Sequence, residues 1–351
     1  MKLSGKALLL GVGCVGVLAG AAVVLHSPVL HRHVASMHTG AGLHGSAGLH
    51  ASGPAAAMIG DAGGDPMANA RARNGVAALG RRWDEAAFAE TVALYTDVHR
   101  GVAWPGVLEP ELVRYGPDAA QTFEVYRPEQ GFSEPGPVFV FLHGNGLGDG
   151  SRIAPGSDGL IYSHLGKLGA VAGGIGVSMS YRPISGGNGD DAGAGLAAGA
   201  EDLRLVIDWI VQNISPYGGD PGTIVIVASS EGATAAAAYL FNEAWQPASG
   251  PHVAAAILAS GLFGSLAPEI EPLAIGYEGE RVPLALWTAE YDTAEVTAGI
   301  ADLHELLCRK YAGCPWNEQL LGHNHVSHVM SLGTADTLAM NALIRFYHTV
   351  R

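Results

Sequence analysis

Cysteine and positive charge are both scarce in this sequence. Only three of the 351 residues are cysteines, which excludes a disulfide-dense scaffold and a structural zinc site made of four cysteines. Lysine and arginine number 19 against 33 acidic residues, for a net charge of −14. A nucleic-acid-binding protein needs a basic surface, so we expect no nucleic-acid partner. What remains is an acidic globular protein, long enough for one large domain or two small ones.

The N-terminus has the pattern of an export signal. Lys2 and Lys6 precede an uninterrupted apolar run at residues 7–25. A positive start followed by such a run is typical of a secretory signal, and a helix of this length would also span a bilayer. We therefore predict that residues 1–26 are a signal peptide or signal-anchor. The protein is then exported: periplasmic, secreted, or anchored to the outer face of the inner membrane through a membrane tether.

The next segment is rich in alanine, glycine, serine and histidine. It contains a tandem echo at residues 41–52, AGLHGS followed by AGLHAS, and residues 26–73 carry six of the 15 histidines. Such a composition buries too little apolar surface to offset the entropy of ordering it. We predict a flexible tether at residues 27–80, with weak metal binding through its histidines as the alternative to a soluble spacer. The catalytic domain is expected at residues 81–351.

Strand and helix patterns alternate through this domain. The candidate strands are mostly short continuous apolar runs, as expected of strands buried on both faces; they lie at residues 122–126, 138–142, 176–180, 223–228, 253–259, 282–288 and 318–321. Candidate helices occupy residues 201–214, 232–245, 294–310 and 335–349. This alternation predicts an α/β fold with a mostly parallel central sheet flanked by helices and no large lid. Ligands of such sheets bind beyond the carboxyl ends of the strands.

One strand end has the pattern of a nucleophile elbow. Candidate strand 223–228 leads through Ala228, Ser229, Ser230, Glu231 and Gly232 into a helix. The small-x-Ser-x-Gly order is typical of a tight strand-to-helix turn that exposes a serine hydroxyl near a helix N-terminus, where an oxyanion is favoured. Ser230 is the candidate nucleophile and Ser229 its rival, although one position earlier the glycine would fall on Glu231. A helix N-cap serine is the alternative without chemistry.

Two more strand ends carry candidate acids and bases. Glu290 and Asp292 follow candidate strand 282–288, where a carboxylate could orient and stabilise an imidazolium. The final strand is followed by a loop that contains His323, His325 and His328. The pattern thus predicts the general base by region and leaves the histidine open.

A fourth strand end is rich in glycine. Candidate strand 138–142 is followed by His143, Gly144, Asn145 and Gly146. Glycine lets the backbone approach a ligand closely, so the N–H groups of this turn are candidate oxyanion donors. An ordinary glycine-rich turn is the alternative.

Taken in order, these motifs resemble the α/β-hydrolase superfamily, specifically its carboxylesterase and hormone-sensitive-lipase-like branch. Further segments carry the likeness: residues 209–214 and 217–221 resemble the lead into the nucleophile strand, 180–183 a Tyr-Arg turn, and 322–327 the catalytic-histidine loop. The resemblance covers residues from about 85 to 351. It implies the α/β-hydrolase fold and the chain order Ser, Asp, His for the catalytic residues.

By this resemblance Ser230 is the nucleophile, Asp292 the acid and His325 the base, with Glu290, His323 and His328 as the alternatives. The resemblance also implies oxyanion donors among Gly144, Asn145, Gly146 and Glu231. The sequence departs from the family where Asn145 replaces a glycine, where Ala228 replaces the first elbow glycine, and where Glu231 replaces a common alanine. A carboxylate at Glu231 would repel anionic substrates or contact a cationic one.

Two cysteines lie close together in the domain. Cys308 and Cys314 are separated by five residues. Behind an export signal such a pair is typical of a disulfide, with two free thiols as the alternative.

The sequence therefore predicts a serine carboxylesterase that hydrolyses short-chain or aryl esters through an acyl-enzyme. We expect a small-molecule ester as substrate, with no metal and no organic cofactor. Two alternatives remain open: an acyltransferase that uses the same triad, and a catalytically inactive hydrolase fold that serves as a binding module.

Overall fold

The computed structural model describes residues 63–144, 151–182 and 192–350. The predicted signal or anchor, most of the predicted tether and two short internal segments lie outside these ranges. Within them the strands are β1 Glu111–Arg114, β2 Thr122–Tyr126, β3 Gly136–Leu142, β4 Ile175–Met179, β5 Gly219–Ser229, β6 Ala255–Ala259, β7 Leu284–Tyr291 and β8 Trp316–Asn324. The helices are α1 Pro66–Leu79, α2 Glu85–His99, α3 Ser163–Val171, α4 Ala192–Asn213, α5 Glu231–Leu240, α6 Ile270–Gly276, α7 Ala294–Lys310, α8 Ser327–Met330 and α9 Thr337–Thr349.

All eight of these strands form one sheet in the order β1-β2-β4-β3-β5-β6-β7-β8. Strands β1 and β2 pair antiparallel, as do β2 and β4, and every other pairing is parallel. The carboxyl ends of β3, β5, β6, β7 and β8 therefore meet at one edge. The predicted fold, a mostly parallel sheet flanked by helices, is confirmed.

The sheet has an apolar core on each face, because successive side chains of a strand point to opposite sides. In β5, Ile224 and Ile226 pack into one core, together with residues of α4, α5 and α7, whereas Val225 and Val227 pack into the other with residues of α1, α2, α3 and α9. This double burial explains why the central strands appear in the sequence as continuous apolar runs.

The boundary predicted at residue 80 is wrong, because the last part of the predicted tether is a helix of the domain. Helix α1 begins after Asp65, whose side chain accepts a hydrogen bond from the Met67 N–H at 2.8 Å. Four small or aliphatic residues spaced for one helix face are buried: Ala68, Ala72, Val76 and Leu79. This alanine-rich stretch was predicted as a tether because the apolar face of α1 consists of small side chains. It packs against the neighbouring helix α2 and against strand β8, which lies more than 200 residues away in the chain.

Several other elements were not predicted. Strand β1 is an exposed edge strand, and α2, α3, α6 and α8 went unrecognised. The predicted helix 232–245 is two pieces, α5 and a 3₁₀ turn at Glu243–Trp245. Among the described residues no helix is both long and apolar enough to span a bilayer. The apolar run at residues 7–25 lies outside them.

The buried histidine at the end of α2 predicts acid sensitivity. His99 is buried, its Nε2 lies 2.8 Å from the Met330 carbonyl oxygen, and its ring packs 4.2 Å from that of His164. Burial lowers the pKa of His99 to about 4, although the bond to Met330 opposes the shift. A neutral buried imidazole stabilises the fold above the pKa of the unfolded chain, near 6.5, and this contribution is lost as the pH falls toward 4.

We expect His99→Gln, which keeps an N–H donor for Met330 but does not titrate, to flatten the dependence of stability on pH. Between pH 7 and about pH 4.5 the wild type should lose roughly 2–3 kcal/mol more of its unfolding free energy than the variant. Urea denaturation at a series of pH values measures this difference. The exposed His348→Gln is the matched control, and identical pH slopes for wild type and His99→Gln would contradict the prediction.

Candidate active site

The three sequence-predicted catalytic residues lie at one edge of the sheet. Ser230 follows β5, Asp292 follows β7, and His325 follows β8. The register keeps these ends level, because Ser229 pairs with Ala259 of β6 and Ala259 pairs with Trp287 of β7. The parallel pairing therefore brings together side chains that are up to 95 residues apart in the chain.

The turn at Ser230 has the strained geometry of a nucleophile elbow. Ser230 has φ 55°, in the left-handed region that most residues avoid. Its N–H donates to the Ala259 carbonyl at 2.9 Å, which fixes the turn against β6. At Gly232 an added Cβ would lie 2.5 Å from the His143 oxygen and 2.6 Å from the Leu142 oxygen. Glycine is thus required there because helix α5 passes against the end of β3.

A continuous hydrogen-bonded chain joins the three side chains. Ser230 Oγ lies 2.8 Å from His325 Nε2, and His325 Nδ1 lies 2.8 Å from Asp292 Oδ1. All three residues are buried. Because the carboxylate accepts from Nδ1–H, Nε2 carries the lone pair that accepts the Ser230 proton. The imidazole is thereby held in the tautomer that a general base requires.

Asp292 stays ionised in this buried position. Burial by itself raises its pKa, but the hydrogen bond and charge of His325, together with the N–H of Ala289, reverse that effect and hold the pKa below its usual value. Ala289 N–H donates to Oδ2 at 2.7 Å. The Arg81 guanidinium also donates to the Asp292 backbone carbonyl. The site can therefore keep a negative charge next to the imidazole at neutral pH.

Asn324 shapes the loop that carries His325. Its side-chain oxygen accepts from the N–H of Ser327 at 3.1 Å, and its backbone N–H donates to Ser327 Oγ at 2.9 Å. Its amide group donates to Thr91 Oγ1 of helix α2 at 2.9 Å. The loop that carries His325 is therefore attached to α2, a helix that was not predicted from the sequence.

An aromatic residue from the N-terminal part of the domain covers the histidine. The Trp83 ring lies 4.3 Å from that of His325, centroid to centroid, and meets Phe88 edge-on at 6.1 Å. Trp83 lies between α1 and α2, next to Arg81. The sequence offered no pattern for this contact, because Trp83 is an isolated aromatic residue more than 200 positions from His325.

The rival residues make other contacts or none. Ser229 is buried and its hydroxyl meets no hydrogen-bond partner within the described ranges. Glu290 accepts from the Gly322 N–H at 2.6 Å. His323 Nδ1 lies 3.1 Å from Ser327 Oγ, and burial, followed by the charge of Arg73, lowers its pKa to about 3. Neither Glu290 nor His323 has a hydrogen bond to Ser230 among the described contacts.

The fourth rival, His328, lies behind Asp292. Its Nε2 is 2.7 Å from Ser260 Oγ, and Ser260 in turn donates to Asp292 Oδ2 at 2.8 Å. Ser260 was not predicted as a site residue, although its position directly after a candidate strand pointed to it. Ser260 directly follows β6, the one central strand whose carboxyl end was not inspected.

The structure describes two of the four candidate oxyanion residues. At Gly144 an added Cβ would lie 2.7 Å from Ser230 Cβ and 3.1 Å from its Oγ, so this backbone lies directly against the Ser230 side chain. Glu231 is the buried first residue of α5, where backbone N–H groups have no helical acceptor. Asn145 and Gly146 lie outside the described residues.

The predicted cysteine pair is close enough to be bonded. The Sγ atoms of Cys308 and Cys314 lie 2.14 Å apart. With His304 they form the one cluster of possible metal ligands in the part of the chain that the structure describes, all within 4.8 Å of one another. A sulfur in a disulfide does not offer the thiolate that a metal needs. This cluster lies at the end of α7 farthest from Asp292.

Known proteins resemble this chain in part of its sequence and over most of its fold. The model of the Carboxylesterase family matches residues 121–269. Esterase-5C of Drosophila miranda is 32% identical over 119 residues, which are 33% of this chain and 20% of that protein. Acetylcholinesterase of Electrophorus electricus is 33% identical over 129 residues, 36% of this chain and 19% of that protein. The chain thus matches about a fifth of the length of these curated relatives.

The structural likeness is more extensive. A hyperthermophilic esterase from the archaeon Pyrobaculum calidifontis has a TM-score of 0.55 to this chain at 18% identity, over 82% of this chain and 99% of that one. This likeness shows the fold, which is that of the α/β-hydrolase esterases, as the sequence motifs predicted.

The contact between Gly144 and Ser230 predicts a steric requirement. We expect Gly144→Ala to slow the reaction of Ser230 with a fluorophosphonate by about 100-fold, because the added methyl must displace the serine side chain or the loop by a fraction of an ångström. Gly276→Ala is the matched control, since its added Cβ meets nothing within 4 Å. Equal labelling rates for both variants would show that Gly144 does not abut the nucleophile.

Proposed function

We propose that this α/β-hydrolase, whose residues 121–269 match the Carboxylesterase family, is a serine carboxylesterase. The observation that carries the proposal is the hydrogen-bonded chain from Ser230 through His325 to Asp292, with both contacts at 2.8 Å. Its members follow parallel strands at their carboxyl ends, where α/β folds bind ligands. The curated relatives and the structural neighbour are esterases by name.

In the proposed reaction Ser230 Oγ attacks the ester carbonyl carbon while its proton passes to His325 Nε2. Asp292 stabilises the imidazolium that forms, without itself taking the proton. When the tetrahedral intermediate collapses, His325 returns that proton to the leaving alcohol, and an acyl-Ser230 remains. Water then attacks the acyl group with His325 as base, which releases the acid and restores the serine.

The carbonyl oxygen becomes an oxyanion next to Gly144 and the start of helix α5. We assign its donors to backbone N–H groups of Glu231 and of residues 144–146. One such donor typically lowers the barrier by about 3 kcal/mol. The positive end of the α5 dipole adds to the same field.

Two side chains bear on the substrate. Trp83 presents an aromatic ring beside His325, where the leaving alcohol must take its proton, and this supports an apolar or aromatic alcohol group. The acidic Glu231 directly follows Ser230. Burial raises the pKa of the Tyr181 hydroxyl, and the charge of Glu231 raises it further. A carboxylate in that position supports neutral or cationic acyl groups over anionic ones.

We expect Ser230→Ala to lower kcat for p-nitrophenyl acetate and butyrate by about 10⁶-fold, because loss of a triad serine removes the covalent route. Ser229→Ala, an adjacent buried serine, is the matched control and should retain activity. Turnover is measured by release of p-nitrophenol across acyl chain lengths, with the full chain. The reverse result, loss in Ser229→Ala alone, would overturn the assignment.

The remaining outcomes separate the alternatives. If added short alcohols divert the acyl group to a new ester faster than water takes it, the enzyme is an acyltransferase. If the wild type is folded yet neither turns over esters nor reacts with a fluorophosphonate at Ser230, the fold serves as a binding module.

We also propose that the protein is exported. The positive and apolar pattern of residues 1–26 and the bonding distance between Cys308 and Cys314 support this. Fractionation of expressing bacteria is expected to place esterase activity outside the cytoplasm for the full chain and inside it for a chain without residues 1–26. The same distribution for both chains would contradict export through this segment.

A further inference from the structure

The hydrogen bonds of Asp292 extend beyond His325 to a second serine and a second histidine. Ser260 Oγ lies 2.8 Å from Asp292 Oδ2 and 2.7 Å from His328 Nε2. Asp292, Ser260 and His328 are all fully buried. The two oxygens of one carboxylate therefore face two different hydrogen-bonded branches, one toward the nucleophile and one away from it.

The direction of each hydrogen bond in the second branch follows from proton counting. Asp292 is ionised, so it can only accept, and the single proton of the Ser260 hydroxyl must go to Oδ2. Ser260 then has only lone pairs for His328, so Nε2 of His328 carries the proton and donates. Burial lowers the pKa of His328 to about 3, against the charge of Asp292, and keeps the ring neutral. Its Nδ1 is left unprotonated and meets no hydrogen-bond partner among the described residues.

Ser260 is held in this place by a strained backbone. Its φ is 46°, in the left-handed region, and it is not a glycine. Its N–H donates to the Trp287 carbonyl at 2.8 Å, which continues the pairing of β6 with β7. Strained residues of this kind persist where the surrounding structure fixes them, often at functional sites. In this backbone conformation the Ser260 hydroxyl lies beside the Asp292 carboxylate, at the end of β6, the strand between those that precede Ser230 and Asp292.

We propose that Ser260 and His328 are positioning residues that fix Oδ2 of Asp292, so that Oδ1 stays aligned with His325. The inference rests on the proposed esterase function and specifies how its acid is held. A carboxylate bound through one oxygen can rotate, whereas donors on both oxygens fix its plane. Ala289 N–H and Ser260 Oγ supply the donors on Oδ2. Because both partners of this branch are neutral, they hold the charge without competing with the imidazolium for it.

Three variants test the branch in the full chain. Ser260→Ala removes the donor to Oδ2, and His328→Leu removes the donor to Ser260 with an apolar side chain. His328→Gln keeps an N–H donor near the position of Nε2. We expect kcat for p-nitrophenyl butyrate to fall about tenfold to a hundredfold in Ser260→Ala, as for a lost hydrogen bond to a charged group. In His328→Leu we expect a smaller fall, because Ser260 keeps its bond to Asp292 and loses only its own anchor; KM should change little in both variants. His328→Gln should restore most of kcat.

The controls separate positioning from general stability. Ser157→Ala removes another fully buried hydroxyl, which donates to the Ala154 carbonyl oxygen at 2.7 Å and has no described hydrogen bond to Asp292. This variant should leave kcat unchanged. Melting temperatures of all variants are measured beside the kinetics. Unchanged kcat in Ser260→Ala would sink the proposal. Equal falls in kcat in His328→Gln and His328→Leu, in proportion to their falls in melting temperature, would show that His328 only packs against its neighbours. That outcome would also overturn the proposal.

A spectroscopic readout does not depend on turnover. In protein labelled with ¹⁵N-histidine, the two ring nitrogens of His328, assigned by their absence in His328→Gln, should report the neutral Nε2–H tautomer at neutral pH. An Nδ1–H tautomer or a charged ring would refute the branch even in an inactive protein. If Ser230 proves unreactive while His328 shows Nε2–H, the esterase proposal fails and the hydrogen-bonded branch stands.

Discussion

An ionised carboxylate buried at the end of a parallel sheet is the constraint on which this site depends. Removing a charge from water is costly unless donors surround it. The Asp292 carboxylate receives them from His325, Ser260 and the Ala289 N–H. The Arg81 guanidinium also donates to the backbone carbonyl of Asp292. Losing one of these donors would cost more than that single bond, because the charge would stay buried with fewer partners.

The same edge of the sheet imposes a second constraint, which is close backbone packing. Gly232 lies against the carbonyls at the end of β3, and Gly144 lies against Ser230 itself. At both places a methyl group would occupy space already taken. Ser230 is therefore held by backbone on two sides and by His325 on the third, so its hydroxyl has little freedom to leave the position in which it faces His325.

The N-terminal helices act as part of the site although they carry none of the triad. Thr91 of α2 fastens the histidine loop through Asn324, and Trp83 covers the His325 ring. These two contacts connect residues 83–91 to residues 324–325, which lie more than 200 positions away in the chain. The boundary drawn from composition at residue 80 would cut α1 away from this arrangement, since α1 and α2 pack against one another in one core.

The sequence by itself determined the α/β fold and pointed to Ser230, and it limited the acid and the base to short stretches in which the family resemblance favoured Asp292 and His325. Those signals are local: apolar runs reflect double burial, and the elbow needs small residues at fixed spacing. Only the tertiary structure separated the three histidines and two acids, because each is chosen by a partner distant in the chain: Ser230 for His325, Ser260 for His328, Gly322 for Glu290. Helix α1 likewise depends on packing, because a face of alanine and valine stabilises a helix only when another surface covers it.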